Sequence, residues 1–236
     1  MIISHSHRYL FLKTIKTAGT SIEAALSQFC SGSDVVTPLN DFRHNRDESG
    51  QMVHRAMNAD TLHWWIKADI GQHVDAATMR RHLPPEVWNG YRKITIVRNP
   101  WDRIVSLFAW KTRNDASMKP RKRFYHRLGV PFNELNELRR NFATFVSRGI
   151  ETNDRFYILD DELCVDLVVR YERMNDDLDD LASRLGLPPL EVPRLKTGFR
   201  PGQYHYSQYY DKATRELVGD LHAHDLRLFG YRFETV

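Results

Sequence analysis

Several things are scarce in this sequence of 236 residues. Two cysteines, Cys30 and Cys164, with no CxxC pair, support neither a disulfide framework nor a zinc knuckle, and both thiols are expected reduced and partly buried. Long apolar runs are missing. The stretch around residues 9–12 is far too short for a bilayer, and nothing later approaches the roughly 20 residues a span needs. The N-terminus has no signal-peptide layout, because its basic residues fall within and after the apolar stretch rather than before it. The expectation is a cytoplasmic protein with no membrane span. Charge of one sign is not in large excess: 34 Lys and Arg stand against 30 Asp and Glu, a formal +4. That admits an anionic partner without selecting one. No HExxH, no spaced Cys/His set, no internal repeat and no Walker GxxxxGK[ST] occur.

What is present reads as globular: 42% hydrophobic and 27% charged residues, at a length that suits one domain over residues 1–236. Tyr-Leu-Phe-Leu at 9–12 fits a strand buried on both faces. A tight loop follows, and Ile22, Ala25, Leu26 and Phe29 then recur at helical spacing from about Thr20 to before Gly32. A helix is expected at 76–82, stopped by Pro84 and Pro85. KITIV at 93–97 makes a second buried strand. It runs into a helix that Asn99 caps and Pro100 opens, with Trp101, Ile104, Val105, Phe108 and Ala109 as its apolar stripe.

Farther on, residues 134–148 read as a helix. Residues 155–159 and 165–172 read as strands joined by a turn at 160–162. Asn175 is expected to cap a helix that Gly186 ends, and a last helix is expected at 208–224 despite Gly219. Two strand–loop–helix units predict an α/β fold, three-layer, with a mostly parallel central sheet flanked by helices. Ligands in such folds bind beyond the carboxyl ends of the strands, where both loops fall.

The first loop, KTIKTAGTS, suits an anion. Small residues Ala18 and Gly19 are expected to let a ligand approach the backbone, and Thr20 and Ser21 open a helix whose free amides and dipole attract negative charge. Lys16 adds a point charge. It precedes the glycine, unlike the Walker lysine, and the first Walker glycine is missing. An ordinary capped strand–helix turn is the plain alternative. In the second loop, VRNPWDRIVS, Arg98 sits at a strand tip and can fork onto a phosphate, with Ser106 two turns down the helix. Arg103 could instead pair with Asp102 or a glutamate on the surface.

These motifs carry a resemblance. Lys16-Thr17-Ala18-Gly19-Thr20-Ser21 resembles the 5'-phosphosulfate loop of the sulfotransferase superfamily, in the family 2 branch that includes carbohydrate sulfotransferases. Val97-Arg98-Asn99-Pro100-Trp101-Asp102-Arg103, continuing to Ser106, resembles its 3'-phosphate motif. The likeness continues through Asp166, Arg170, Tyr171 and Glu172, then Tyr209-Tyr210, to Asp225-Leu226 and Phe229-Gly230-Tyr231.

The resemblance implies a P-loop-like sulfotransferase fold. It implies 3'-phosphoadenosine-5'-phosphosulfate (PAPS) as sulfuryl donor, adenosine 3',5'-bisphosphate as product, and no metal. By the same likeness Lys16 steadies the leaving phosphate, Thr17, Ala18, Gly19, Thr20 and Ser21 cradle it, and Arg98 and Ser106 hold the 3'-phosphate. Arg200 closes over the nucleotide on a looser match. In the segment QHVDAATMRRHLP the resemblance makes His73 the general base, ahead of His54, His63 and His82. Glu23 and Glu172 are alternative bases.

Where many relatives have two glycines this chain has Ala18-Gly19; alanine fits if its φ is negative. Acceptor-binding insertions are expected around 34–92 and 111–150. The second insertion contains a run, residues 111–127, with seven Lys or Arg and Asp115 as its one acid. That run suits either an anionic glycan or a solvated surface, and Trp64, Trp65, Trp88, Trp110 and Tyr125 suit either a sugar platform or core packing. The expected acceptor carries a hydroxyl, on a carbohydrate or a small natural product, with no nucleic acid as partner. A P-loop-like kinase, a non-catalytic polyanion- or nucleotide-binding protein, and a degenerate relative that binds without transfer remain the rival classes.

Overall fold

The computed structural model describes residues 1–37, 73–118, 126–128, 131–193, 195 and 204–236. The chain forms two compact units, Met1–Arg98 with Asn153–Thr197, and Asn99–Thr152 with Gly198–Val236.

The first unit is α/β. Its five-stranded sheet contains β1 (Ile2–Ser4), β2 (Tyr9–Leu12), β3 (Val35–Val36), β4 (Arg92–Val97) and β7 (Leu167–Arg170), in the order β3-β1-β2-β4-β7. The sheet is mixed rather than mostly parallel. β2 pairs β4 and β4 pairs β7 in parallel, but β1 runs antiparallel to both β2 and β3. The physical reason is the short turn after Ser4, which folds β1 back onto β2 as a hairpin and leaves no room for a crossover helix. The Asp34 carboxylate stitches that turn by accepting from the amides of His5 and Ser6 and the hydroxyls of Ser4 and Ser6. These bonds outweigh burial and lower its pKa.

One sheet face carries Ile2, Tyr9, Phe11, Ile94, Ile96 and Val169. It packs against Ile22 and Leu26 of α1 (Gly19–Ser27) and Leu178, Leu181 and Leu185 of α6 (Met174–Leu185). Leu10, Leu12 and Thr95, on the opposite face, are equally buried, which is why these strands read as unbroken apolar runs. α2 (Ala76–His82) starts where the Asp75 side chain accepts from the Thr78 amide at 2.7 Å, and its basic last turn suits the helix dipole. Pro85 does not only end a helix: it opens α3 (Pro85–Gly90), since proline's missing N–H costs nothing in a first turn.

The 155–172 region departs from expectation. Residues Asp154–Phe156 form a 3-10 turn, and β5 (Ile158–Leu159) pairs β6 (Glu162–Leu163) as a two-residue hairpin around Asp160 and Asp161, both at positive φ. Only Leu167–Arg170 joins the main sheet. α6 begins at Met174 without a side-chain cap, so Asn175 lies inside it, while Gly186 takes the left-handed end position foreseen for it.

The second unit is helical. It holds α4 (Pro100–Lys111), α5 (Glu134–Ser147), a 3-10 turn at Tyr206–Tyr209, α7 (Lys212–Leu221) and α8 (Ala223–Phe229). The single helix expected at 208–224 is therefore three pieces, with His222 at the break between α7 and α8. Gly219 survives inside α7 because a Cβ there would press on the Trp101 ring at 3.3 Å. Edge-on ring contacts among Phe108, Phe142, Tyr209 and Tyr210 fill the core of this unit. Arg103 is not at the surface: it is 2% exposed and donates to the Glu151 carbonyl at 2.6 Å and to His222 Nε2 at 2.7 Å. His222 Nδ1 faces the Val218 carbonyl, so it carries the proton and leaves Nε2 free to accept.

Candidate functional site

The site is built where three parallel strands of the first unit end. β2 and β4 stand in register with Leu12 opposite Thr95, and β4 and β7 with Val97 opposite Arg170. Their next residues therefore emerge at one edge of the sheet: the 13–18 loop after β2, Arg98 after β4 and Tyr171 after β7.

The 13–18 loop is held by side chains from both ends. Thr14 Oγ1 donates to the Ile96 carbonyl, and Thr17 Oγ1 lies 2.7 Å from Thr14 Oγ1. Asn153 clamps Ile15 from both sides, accepting from its amide at 3.2 Å and donating to its carbonyl at 3.0 Å. Within this frame Lys16 and Ala18 both take left-handed backbone, φ 65° and 67°. The sequence admitted alanine at 18 on condition of a negative φ; the structure places it at a positive one, where a Cβ costs about 1–2 kcal/mol. Packing also requires a glycine at position 19. A Cβ there would lie 2.9 Å from Cγ of the buried Lys13 stem.

α1 then starts without a side-chain cap. The Ser21 and Ile22 amides turn back onto the Ala18 carbonyl, while those of Gly19 and Thr20 have no protein acceptor among the described residues. Such an end is suited to an anion. The Ser21 hydroxyl accepts from the Leu195 amide at 3.1 Å, and the Thr17 side chain is fully buried.

Arg98 meets this loop directly. Its Nη1 donates to the Lys16 carbonyl at 3.2 Å, and its guanidinium lies over the Tyr171 ring at 3.9 Å. The Arg98 guanidinium and the main chain of Lys16, which the sequence put on separate loops, thus meet at one end of the sheet. This cation–π contact with Tyr171 helps to hold the guanidinium in place.

His73 precedes α2, and its Nδ1 is 2.9 Å from the Lys13 carbonyl. A carbonyl only accepts, so Nδ1 carries the hydrogen and Nε2 the lone pair. The ring also tilts against Phe156. Burial, then the Lys13 charge, push its pKa down from 6.5 to about 4, so the imidazole is neutral at pH 7.

Glu23 is placed differently from an acceptor-activating base. It is fully buried, with Oε2 receiving Lys13 Nζ at 2.6 Å, and Oε1 receiving the Thr37 hydroxyl at 3.1 Å and the Met1 amino group. Glu172 is exposed beside the site; Arg170 takes Asp177, through its amide at 2.8 Å. Ser106 stands half-buried on α4 of the second unit. Arg200, His54, His63, Trp64, Trp65, Tyr125 and the centre of the basic run lie outside the described residues. Trp88 is 7% exposed with Lys93 over its ring, which makes it core, whereas Trp110 carries Arg113 stacked at 3.8 Å.

Sequence reasoning missed Asn153, Tyr171 as a guanidinium platform, and the Lys13–Glu23 pair. Asn153 has no local signal, being 138 positions from its partner. Lys13 and Glu23 could have been suspected from a charge on each side of a buried strand–helix turn.

Each unit also carries a cavity. One, of about 410 Å³, is lined by Arg92, Lys93, Asp166 and Arg184 at the opposite ends of β4 and β7; the other, of about 560 Å³, is lined by Arg139, Lys212, Arg215 and Phe233 in the second unit. Among the described residues no helix is long and apolar enough to cross a membrane, and no group of three or more His, Cys, Asp or Glu is placed to hold a metal ion. A family model described as "Sulfotransferase family" matches residues 1–232. No curated protein and no solved structure matches the chain.

Proposed function

Because the chain belongs to the sulfotransferase family, we propose that it transfers a sulfuryl group from PAPS to a hydroxyl on a carbohydrate or small natural product. Sulfotransferase-type chemistry follows from the membership; donor, residues and acceptor class are our reading. The observation that carries it is the meeting of Lys16 and Arg98 on one strand-end edge, beside the open amides of Gly19 and Thr20. PAPS has negative charge at both its 5' and 3' ends. A site for it needs two cationic centres within one nucleotide's length, and the Arg98 guanidinium, 3.2 Å from the main-chain carbonyl of Lys16, supports that reading.

In this scheme the acceptor oxygen forms a bond to sulfur as the bond from sulfur to the 5'-phosphate oxygen breaks. The hydroxyl proton passes to His73 Nε2, the nitrogen that the Lys13 carbonyl leaves as acceptor. The departing electron pair stays on the phosphate oxygen, where Lys16 and the Gly19 and Thr20 amides offset it. Arg98, with Ser106 assigned by sequence alone, takes the 3'-phosphate, which ATP lacks. Most of the rate comes from positioning and charge stabilisation, as in phosphoryl transfer.

The test is calorimetry with adenosine 3',5'-bisphosphate in the presence of EDTA, on the wild-type protein and Arg98→Ala. Loss of a charged hydrogen bond predicts roughly 10- to 100-fold weaker binding by the variant. A wild-type protein that ignores the nucleotide, or equal affinities, overturns the reading; binding only with added magnesium points to the kinase class.

A further inference from the structure

The sheet unit buries two charges that the chemistry above does not use. Lys13 is 1% exposed and Glu23 not at all, and they meet at 2.6 Å. Taking an ammonium and a carboxylate out of water costs several kcal/mol per ion, and an apolar pair of similar volume often serves packing as well. A buried pair at this place therefore calls for a role beyond packing. Lys13 also supplies the carbonyl that receives His73 Nδ1. One residue thus holds the ring through its main chain and keeps a charge near it through its side chain.

We propose that Lys13, locked by Glu23, is a positioning residue for His73: its carbonyl fixes Nε2 as the proton acceptor, and its buried ammonium opposes a second proton on that ring. This rests on the reading of His73 as the base. The groups acting on the ring are few. Lys13 and the Met1 amino group disfavour its protonated form, Glu23 favours it, and Phe156 packs against it without charge. Burial is the largest cause of the depressed pKa; the Lys13 charge comes next and outweighs Glu23, while the hydrogen bond to the Lys13 carbonyl works the other way. A base held neutral in this way is available to an incoming hydroxyl across the whole neutral range.

The two members of the pair act on His73 with opposite sign, and a purely structural pair would not. The experiment is a ¹⁵N-histidine NMR titration of the full-length protein, without donor or acceptor. Lys13→Met is expected to raise the His73 pKa by on the order of one unit, and Glu23→Gln to lower it. Should either single variant fail to fold, the double variant Lys13→Met/Glu23→Leu removes both charges and is expected to place the pKa between those of wild type and Lys13→Met. In all of them the Nδ1-protonated tautomer is expected to persist, because the carbonyl remains. The acid limb of kcat/KM is expected to move with the NMR value. Shifts in the same direction, or none, overturn the proposal whatever the turnover. Opposed shifts in a protein whose transfer survives His73→Ala uphold the Lys13–His73 coupling and remove the base assignment instead.

Discussion

The loops that follow β2 and β4 solve the same geometrical problem in opposite ways. Each turns a buried parallel strand into a helix. After β4 the helix start is closed: Asn99 Oδ1 accepts from the Trp101 amide at 3.1 Å, and Pro100 removes an N–H that would need a partner. After β2 the helix start is open: no side chain caps it, the residue before it is a left-handed alanine, and two amides have no protein acceptor among the described residues. The closed loop contributes a side chain, Arg98; the open one contributes main chain and Lys16. An open, strained start is a liability in a merely structural turn and an asset where an anion completes it. The contrast also explains why Asn153 clamps the first loop: an uncapped turn with two positive φ values needs outside support.

Several substitutions would break or sharpen this contrast. The largest effect is expected from His73→Ala, on the ring anchored to the open loop. Turnover should fall by roughly 10²–10⁴-fold while nucleotide affinity stays near wild type. In the intact protein the depressed His73 pKa fixes a sign. The unfolded chain takes up this proton near 6.5 and the folded one near 4, so His73 withdraws stability as pH falls between those values. The acid limb of kcat/KM should accordingly lie well below pH 6; a limb near 6.5 would mean the ring is solvated. Lys16→Ala comes next, with a loss in kcat of roughly 10²–10³-fold if its ammonium meets the leaving phosphate. Asn99→Ala, at the closed loop, should cost about 1 kcal/mol of stability in urea unfolding. If Asn99→Ala weakened nucleotide binding more than Lys16→Ala did, the roles of the two loops would be reversed. The smallest effect is expected from Ala18→Gly. Relief of the left-handed Cβ, less the extra entropy of an unfolded glycine, should stabilise the protein by roughly 0.5–1 kcal/mol, visible as a raised Tm.

The parts of the molecule governed by local pattern were legible. The strands around Leu10 and Ile96, the Asn99 cap, the helix over Leu138 and Phe142, and the Gly186 stop all follow from periodicity or end chemistry, which act within a few residues. The parts set by distant partners were not. β1 was hidden because three residues show no period, and its direction depends on a turn stitched by Asp34, about 30 positions away. The burial of Arg103 depends on His222, 119 positions on. At the site, the motif types of Lys16, Arg98 and His73 could be read, but the contact of Arg98 with the Lys16 carbonyl and that of His73 with the Lys13 carbonyl could not. Ala18 misled because a positive φ at alanine is against its intrinsic preference and is imposed by the clamped loop around it.

The Asn153 clamp also bears on the order in which the molecule can be assembled. The residues that read as an anion loop are complete once the first two dozen have been made, yet the side chain that grips Ile15 lies far downstream. Any fragment that stops short of position 153 carries the motif without its brace. The braced form of that loop belongs to a chain grown past position 153 and not to the stretch of sequence that announces it.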